Sequence, residues 1–517
     1  MLYKCYCATC VGVEAVVVTV EVDLSTGIGL HLVGLPDSAV RESLLRVVTA
    51  LTSYGFRIPG RKLVVNLAPA DIRKEGSAYD LAIAIGLLAV SQQIGLPDGG
   101  DYLIMGELAL DGRIRPVNGV LPVALQARDD GFRGCIFPAE SAQEASEVEG
   151  LAVYGVSTLG EAIDVLCRRD GYERLRVCRP DAPAECPPSG NDFRQVRGQH
   201  VARRGLEIAA AGGHNIILVG APGSGKSLMA SCLPSILPPM TRDEAVETGK
   251  IYSVAGRGAR LGGLMRERPF RAPHHSASLV SLIGGGPQAG PGEISLAHNG
   301  VLYLDEIAQF SRGLLDALRQ PLEDGKVTIS RARYKVAYPA QFMLAASMNP
   351  CPCGYYGDDT GRCTCTRGAV EGYLARISGP MMDRIDLQIW IKSLSAMELL
   401  GLSDGSRAER PEEGSAVIAE RVARARAVQT RRFAGEGIFT NAAMGARQVE
   451  RYCVLSDACR RTLEQILDRM GLSARAYTRI LKVARTIADL SGERDILPAH
   501  LLEAAGYRFL DRRRIVD

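Results

Sequence analysis

The chain has 517 residues, 46% of them hydrophobic and 23% charged, with a formal net charge of +3. At about 150 residues per domain this is two to four ordinary globular domains, which excludes a wholly disordered chain. A charge balance so near zero excludes a globally basic surface, so any nucleic-acid contact has to be local.

Met1 to Cys10 carries one Lys and three Cys but no apolar core ahead of a small-residue cleavage site, so it does not read as a secretory signal. The longest uninterrupted apolar run lies around Leu81 to Val90, well short of the roughly 20 residues that span a bilayer. The expectation is a cytoplasmic protein with no membrane span, in which 14 cysteines serve as thiols, metal ligands or small buried hydrophobes rather than disulfides. Cys5, Cys7 and Cys10 lack a fourth partner nearby and read as an idiosyncratic N-terminus.

From Val13 to Asp23 apolar and polar residues roughly alternate, and Ser25-Thr26-Gly27 turns into the apolar run Ile28 to Leu35, a strand pair. Asp37 or Ser38 N-caps a helix with Leu44, Leu45, Val48 and Leu51 on one face. Lys62 to Leu67 predicts a strand, Tyr79 to Val90 a buried helix, and Tyr102 to Val117 a hairpin turning at Asp111-Gly112. This first α/β unit is expected to span 1–178. The Pro-rich stretch that follows predicts a linker over 179–192. Alternating helices and apolar strands then predict a mostly parallel sheet over 193–395, and helical periodicity an α-helical lid over 396–517.

In the central unit Asn215 to Ser227, NIILVGAPGSGKS, predicts a strand feeding a phosphate loop and then a helix. The loop Gly220, Ala221, Pro222, Gly223, Ser224, Gly225, Lys226, Ser227 has the fixed positions of GxxxxGKS. Its glycines let backbone N–H groups face phosphate oxygens, Lys226 reaches the β and γ phosphates of ATP, and Ser227 offers a hydroxyl to Mg²⁺. VLYLDEI, Val301 to Ile307, is a buried strand ending in two acids, where ligands collect in open α/β sheets. Alone, such a pair is more often a helix cap. Beside a P-loop, Asp305 reads as the Mg²⁺ carboxylate and Glu306 as the base that polarises the attacking water. FMLAASMNP then brings Asn349 to another strand end, placed to orient that water, although an Asn before Pro is in isolation a turn residue.

Charge developing at the γ-phosphate asks for an arginine from a neighbouring subunit. Arg384 and Arg376 are the candidates, each of which is equally readable as a solvated or paired Arg. In the lid, Arg475, Arg479 and Lys482 share a helix face, either solvent-facing or with Arg475 on the γ-phosphate. Cys351, Cys353, Cys363 and Cys365 pack into fifteen residues of a Gly/Asp-rich loop, and four soft thiolates can surround Zn²⁺. His274-His275 reads as a hydrogen-bonded corner. For DNA, the hairpin-like Gly325 to Lys335 carries Lys326, Arg331, Arg333 and Lys335; the rival is the helix with Arg421, Arg424, Arg426, Arg431 and Arg432, more simply a solvated face.

These motifs, with PFRAPHHSAS (Pro269 to Ser278), GGGPQAGPGEISLAHNG (Gly284 to Gly300) and LARISGPMMDRIDL (Leu374 to Leu387), resemble the magnesium-chelatase-like AAA+ family of ComM/YifB type over nearly the whole chain. The resemblance implies an N-terminal Lon-protease-like α/β domain, a central AAA+ P-loop domain and a helical lid. It also implies a homo-hexameric ring acting on single-stranded and branched DNA, with branch migration in homologous recombination and natural transformation as its work, or alternatively a chelatase-like or protein-remodelling motor with partner subunits. On the family's pattern Asn349 is sensor 1, Arg384 the finger and Arg475 sensor 2, and the cysteine loop binds zinc near the ring's pore. The first domain is similar to Lon proteases through Val65 to Leu88 and Gly106 to Val120. Their Ser–Lys pair is absent: Ala78 stands where the Ser is expected, with Ser77 one place off, and Leu121 stands where the Lys should be. A non-proteolytic module follows.

Overall fold

The computed structural model describes residues 2–96, 100–179, 191–258, 263–286, 289–331, 334–358, 361–393, 413–471 and 473–511. Most of the 179–192 stretch, the start of the 396–517 segment and Arg333 therefore lie outside the described residues.

The N-terminal part is built on a seven-stranded sheet in the order Gly29–Val33, Lys62–Ala68, Glu14–Ser25, Leu2–Val11, Tyr102–Ile104, Gly134–Pro138, Ala152–Val156. Glu14–Ser25 is antiparallel to both of its neighbours; the other pairs are parallel. The first residues of the chain are thus a central strand, not an idiosyncratic terminus. Cys5 and Cys7 point into the core at alternate positions, and the Cys5 thiol meets Ala82 O at 3.2 Å. Burial pushes the Cys5 thiol up to about 12, which keeps it an inert small hydrophobe.

Asp37 caps the helix Ser38–Ser53, accepting from the Val40 amide at 2.7 Å. The face it buries is Val40, Ser43, Val47, Ala50 and Leu51, whereas Leu45 is 74% exposed, so the stripe is displaced from the expected one. Small Ala50 and Ser43 are fully buried there, which counting large apolar residues misses. Asp80–Val90 is buried along its whole length. Tyr102 to Val117 is not one hairpin. Tyr102–Ile104 joins the main sheet between two parallel partners, and only Glu107–Leu108 and Ile114–Arg115 pair around the Asp111-Gly112 turn. The run is too apolar to leave the core, so tertiary pairing overrides the local turn.

The central part holds a five-stranded parallel sheet, in the order Phe270–Arg271, Val301–Leu304, Met343–Met348, Ile216–Gly220, Leu387–Ile391. Its strands read as continuous apolar runs because helices cover both faces. C-terminal helices Ser415–Arg432, Asp457–Met470, Ala474–Ser491 and Pro498–Gly506 pack against helix His200–Gly212 and one another. The Arg-rich helix Ser415–Arg432 is only in part a solvated face: Arg424 and Arg431 are exposed, whereas Arg421 pairs with Glu413 at 2.7 Å and with Glu207, Arg426 donates to Ala210 O, and Arg432 to Asp489. Arg421 and Arg426 join lid to core, and Arg432 ties two lid helices together. Deeper in, His214 lies between Asp386 (3.3 Å) and Thr486 (2.7 Å), and Asn441 links Thr486 to Asp489. Burial alone would raise the Asp386 carboxyl, but Arg479, His214 and Lys482 beside it win and hold it far below its ordinary range. Among the described residues no helix is long and apolar enough to cross a membrane.

The two sheets are coupled through helix Arg242–Val254. Gly119 N donates to Ser253 O (3.1 Å), Leu121 N to Ser253 Oγ (3.3 Å), and Lys250 pairs with Glu14 (3.5 Å). Glu144 is buried in this seam, close enough to Gly258 that a Cβ there would fall 1.7 Å from its Oε2. Burial pushes its carboxyl up to about 7 from 4.5. Between those values the unfolded chain holds fewer protons than the folded one, so stability is fullest below the lower value and falls as pH rises to the upper, by roughly 3 kcal/mol in all. Glu144→Gln is expected to flatten this dependence, checked by denaturant midpoints at about pH 5 and about pH 7.5.

Candidate functional site

Parallel register sets the site. Val219 lies opposite Met348, and Leu304 opposite Ala346. Gly220, Asn349, Asp305 and Ser347 therefore emerge at one edge of the sheet, the carboxyl ends where α/β sheets bind ligands. Gly223 and Gly225 take left-handed backbone (φ +77° and +86°), which a Cβ would disfavour, and so curl the loop over the start of helix Lys226–Ser231.

Lys226 Nζ donates to Gly220 O and Ala221 O, both 2.8 Å, and to Asn349 Oδ1 at 3.2 Å. Burial lowers its pKa, with Asp305 and Glu306 partly opposing. Ser227 Oγ lies 3.0 Å from Asp305 Oδ2, so a hydroxyl and a carboxylate are adjacent, the hard oxygen donors that suit Mg²⁺. Burial would raise the Asp305 carboxyl, but hydrogen bonds from Ser347, Tyr303 (2.9 Å) and Ser227 outweigh it and keep it ionised. Glu306 adopts left-handed backbone at φ +51°, uncommon for a side-chain-bearing residue. Its amide is held by Ser347 Oγ and Asp305 Oδ1, both at 3.1 Å, and its carboxylate by Gln309 Nε2 at 2.7 Å. Such local strain is found where a side chain must be aimed.

The structure thus brings Lys226, Ser227, Asp305, Glu306 and Asn349 together. It does not bring Arg384 or Arg475 to the cradle of the same chain. Those two line a separate cavity of about 700 Å³ between core and lid, whose walls include Arg268, Arg426, Arg479 and Lys482 but no P-loop residue. Each rests on a carboxylate, Arg384 on Glu323 and Arg475 on Asp383 (3.1 Å). Arg376 lies over the Tyr373 ring instead. His274 and His275 do form a corner, with Ser276 Oγ 2.7 Å from His274 Nδ1.

The four cysteines converge: Cys351 to Cys353 is 3.3 Å between sulfurs, Cys351 to Cys363 3.9 Å, Cys353 to Cys363 3.6 Å, and all four lie within 4.8 Å of one another. Tetrahedral zinc with sulfur ligands at about 2.3 Å would set sulfurs about 3.8 Å apart, so the donor set fits such an ion. The sulfurs share their protons unequally: backbone amides of Tyr355 and Thr364 pull the Cys353 thiol down to about 6, whereas Cys363 and Cys365 are pushed up by their neighbouring thiols. This loop borders the P-loop: Ala221 shares a small cavity wall with Tyr356 and Trp390.

Sequence reasoning missed Tyr303, Ser347 and Gln309, which orient the acids. The available signal was a lone hydroxyl in the apolar strand Met343–Met348, two residues before Asn349 and hence on its side of the strand.

A five-stranded parallel sheet with a P-loop after its first strand, acids after its third, an Asn after its fourth and a helical lid defines an AAA+ protein of the P-loop class. Three family profiles agree: "Magnesium chelatase, subunit ChlI" over residues 192–399, "Subunit ChlI of Mg-chelatase" over 20–141 and "Magnesium chelatase, subunit ChlI C-terminal" over 412–508. The chain is 44% identical to competence protein ComM of Haemophilus influenzae over 512 residues, 98% of this chain and 97% of that one. It is 43% identical over 504 residues to YifB of Salmonella typhimurium, 97% and 96% of the two chains. The chain belongs to the magnesium-chelatase-like AAA+ family of ComM and YifB. A weaker likeness, 27% over 128 residues, links 25% of this chain to 23% of Lon protease 2 of Bacillus subtilis. Ser77 here pairs with Glu107, and Leu121 is buried against the AAA+ core.

Lys226→Ala removes the cation that phosphate oxygens would meet and is expected to weaken ATP binding roughly 100-fold, read by titration with a fluorescent ATP analogue. Unchanged affinity would show that the loop is no phosphate cradle.

Proposed function

We propose that this chain is an ATP-hydrolysing motor that works as a homo-hexameric ring on single-stranded and branched DNA, promoting branch migration in homologous recombination and natural transformation. The observation that carries the reading is the meeting of Lys226, Ser227, Asp305, Glu306 and Asn349 at one sheet edge, with two arginines on a different face of the same chain. A motor needs both halves, and a ring supplies them: one protomer's cradle faces the next protomer's Arg384 and Arg475. The name of the 44% identical relative, a competence protein, supports the transformation setting. The working units are taken as 1–178, 193–395 and 396–517, joined by 179–192.

In this mechanism Lys226 neutralises the β and γ phosphates, and Ser227 with Asp305 would hold Mg²⁺, which would supply positive charge to offset that of the phosphates. Glu306, aimed by its backbone and by Gln309, takes the proton of the attacking water. Asn349 orients that water while holding Lys226 in register. Arg384 and Arg475 leave their own carboxylates and move onto the neighbour's γ-phosphate as charge redistributes. The hairpin Lys326–Arg331 with Tyr334–Pro339 buries Val327, Ile329, Val336 and Tyr338 on one face and exposes Lys326 and Lys335 on the other, a DNA-facing surface. The arginines of helix Ser415–Arg432 are mostly committed to acids and carbonyls and are not the DNA contact. The four-cysteine loop holds one Zn²⁺.

Glu306→Gln is expected to bind ATP with near-normal affinity while turnover falls about 100-fold or more; ordinary turnover would overturn the base assignment. On a synthetic four-way junction the wild-type protein is expected to exchange strands only with ATP. An active ATPase that neither binds nor remodels DNA, but co-purifies with a stable protein partner, would favour the chelatase-like reading that the family profiles also suit. Metal analysis of native protein is expected to return zinc near one per protomer, and a value near zero rules the site out.

A further inference from the structure

The cysteine loop does not stand apart from the nucleotide cradle. It leaves its strand directly after Asn349, so Cys351 is two residues from the side chain that accepts from Lys226. Its next turn lies on the P-loop itself: a Cβ on Gly354 would fall 2.7 Å from Pro222 Cδ and 3.9 Å from Asn349 Cγ. Further on, Gly357 approaches the Trp390 ring so closely that a Cβ there would fall 2.7 Å from it. The Tyr356 amide donates to Cys351 Sγ at 3.3 Å, and the Gly354 amide to Cys351 O at 3.0 Å. The shape of the loop around the sulfur cluster is therefore the shape it presents to the P-loop.

Backbone entropy opposes a single conformation for an irregular loop of this length. Among the described residues the loop is also tied by Arg362 to Asp358 (3.1 Å), by Arg362 over the Tyr355 ring (4.3 Å), and by backbone bonds from Asp358 to Tyr355 O (3.2 Å) and from Gly361 to Asp358 O (3.3 Å). A centre drawing on both Cys351/Cys353 and Cys363/Cys365 would close the loop at its two ends and fix what lies between. We propose that the four-cysteine centre is a latch on the ATP site: a soft divalent metal held by Cys351, Cys353, Cys363 and Cys365 seats the Gly354 turn on Pro222 and Asn349 on Lys226, so that metal occupancy sets how tightly the P-loop holds a nucleotide. This rests on the metal reading above. Coordination sends thiol protons to solvent and changes no oxidation state, so no redox partner is needed.

The test uses the full chain, elemental metal analysis and binding of a fluorescent ADP analogue. Stripping the metal with a chelator under reducing conditions is expected to weaken nucleotide binding about ten-fold, with recovery on adding zinc back. Gly354→Ala keeps every thiol and is expected to retain the metal yet bind nucleotide about ten-fold more weakly, because the added methyl meets Pro222 and the left-handed backbone of the turn (φ +86°) disfavours a Cβ. In Pro222→Ala, where the contact is gone, stripping is expected to change affinity less than about two-fold. If stripped wild-type protein that began with one metal per protomer keeps its affinity, the latch is wrong and the metal site stands. A protein that neither carries nor takes up metal removes both. A full ten-fold effect persisting in Pro222→Ala would overturn the route through the P-loop.

Discussion

Everything functional in this chain depends on the register of parallel strands at one edge of the central sheet. Because Val219 faces Met348 and Leu304 faces Ala346, the residues just beyond those pairs arrive at the same height. A shift by a single residue would turn Asn349, Ser347 and Asp305 to the wrong faces, since side chains alternate along a strand. The buried apolar runs that fix the register are thus part of what builds the site. Lys226 then ties the edge together, bridging two carbonyls of its own loop to Asn349 of the next strand.

Much of this was legible beforehand, and for an identifiable reason. The P-loop needs glycine at positions of left-handed backbone and a lysine at a fixed offset, a pattern that local chemistry dictates and sequence displays. Asp305 and Glu306 were visible because acids at the end of an apolar strand are conspicuous. The residues that aim them were not: Ser347 and Tyr303 look like ordinary strand residues until the sheet places them beside Asp305. The same limit explains the misread elements. Leu45 is as apolar as Leu44, and only the neighbouring helix determines which of the two is covered. Tyr102–Ile104 has a turn signal downstream, yet its partners lie far away in sequence. Reading Leu2–Val11 as a central strand required knowing that Glu14–Ser25 and Tyr102–Ile104 flank it.

The polar interior of the C-terminal half has a mechanical meaning. His214, Asp386, Thr486, Asn441, Asp489 and Arg432 form a connected chain from the sheet into the lid. Removing one member would leave others buried and unpaired, a cost of several kcal/mol for charged groups. The lid is accordingly fastened to its own core, and Arg475, near the start of the helix that carries Thr486 and Asp489, is held on the far side from its own P-loop. A lid anchored in this way is fixed to the sheet through buried, paired polar groups.

The seam between the N-terminal sheet and the core bears on the Lon likeness. At the position where a proteolytic relative would carry its lysine, the backbone of Leu121 donates to Ser253 and its side chain lies against Gly249, which a Cβ would crowd to 2.9 Å. An ammonium in place of that buried side chain would have to shed its water, a cost that an apolar Leu does not carry. Peptide cleavage and mechanical attachment therefore compete for one site on the first domain. In this chain that site is a joint between the N-terminal sheet and the P-loop core.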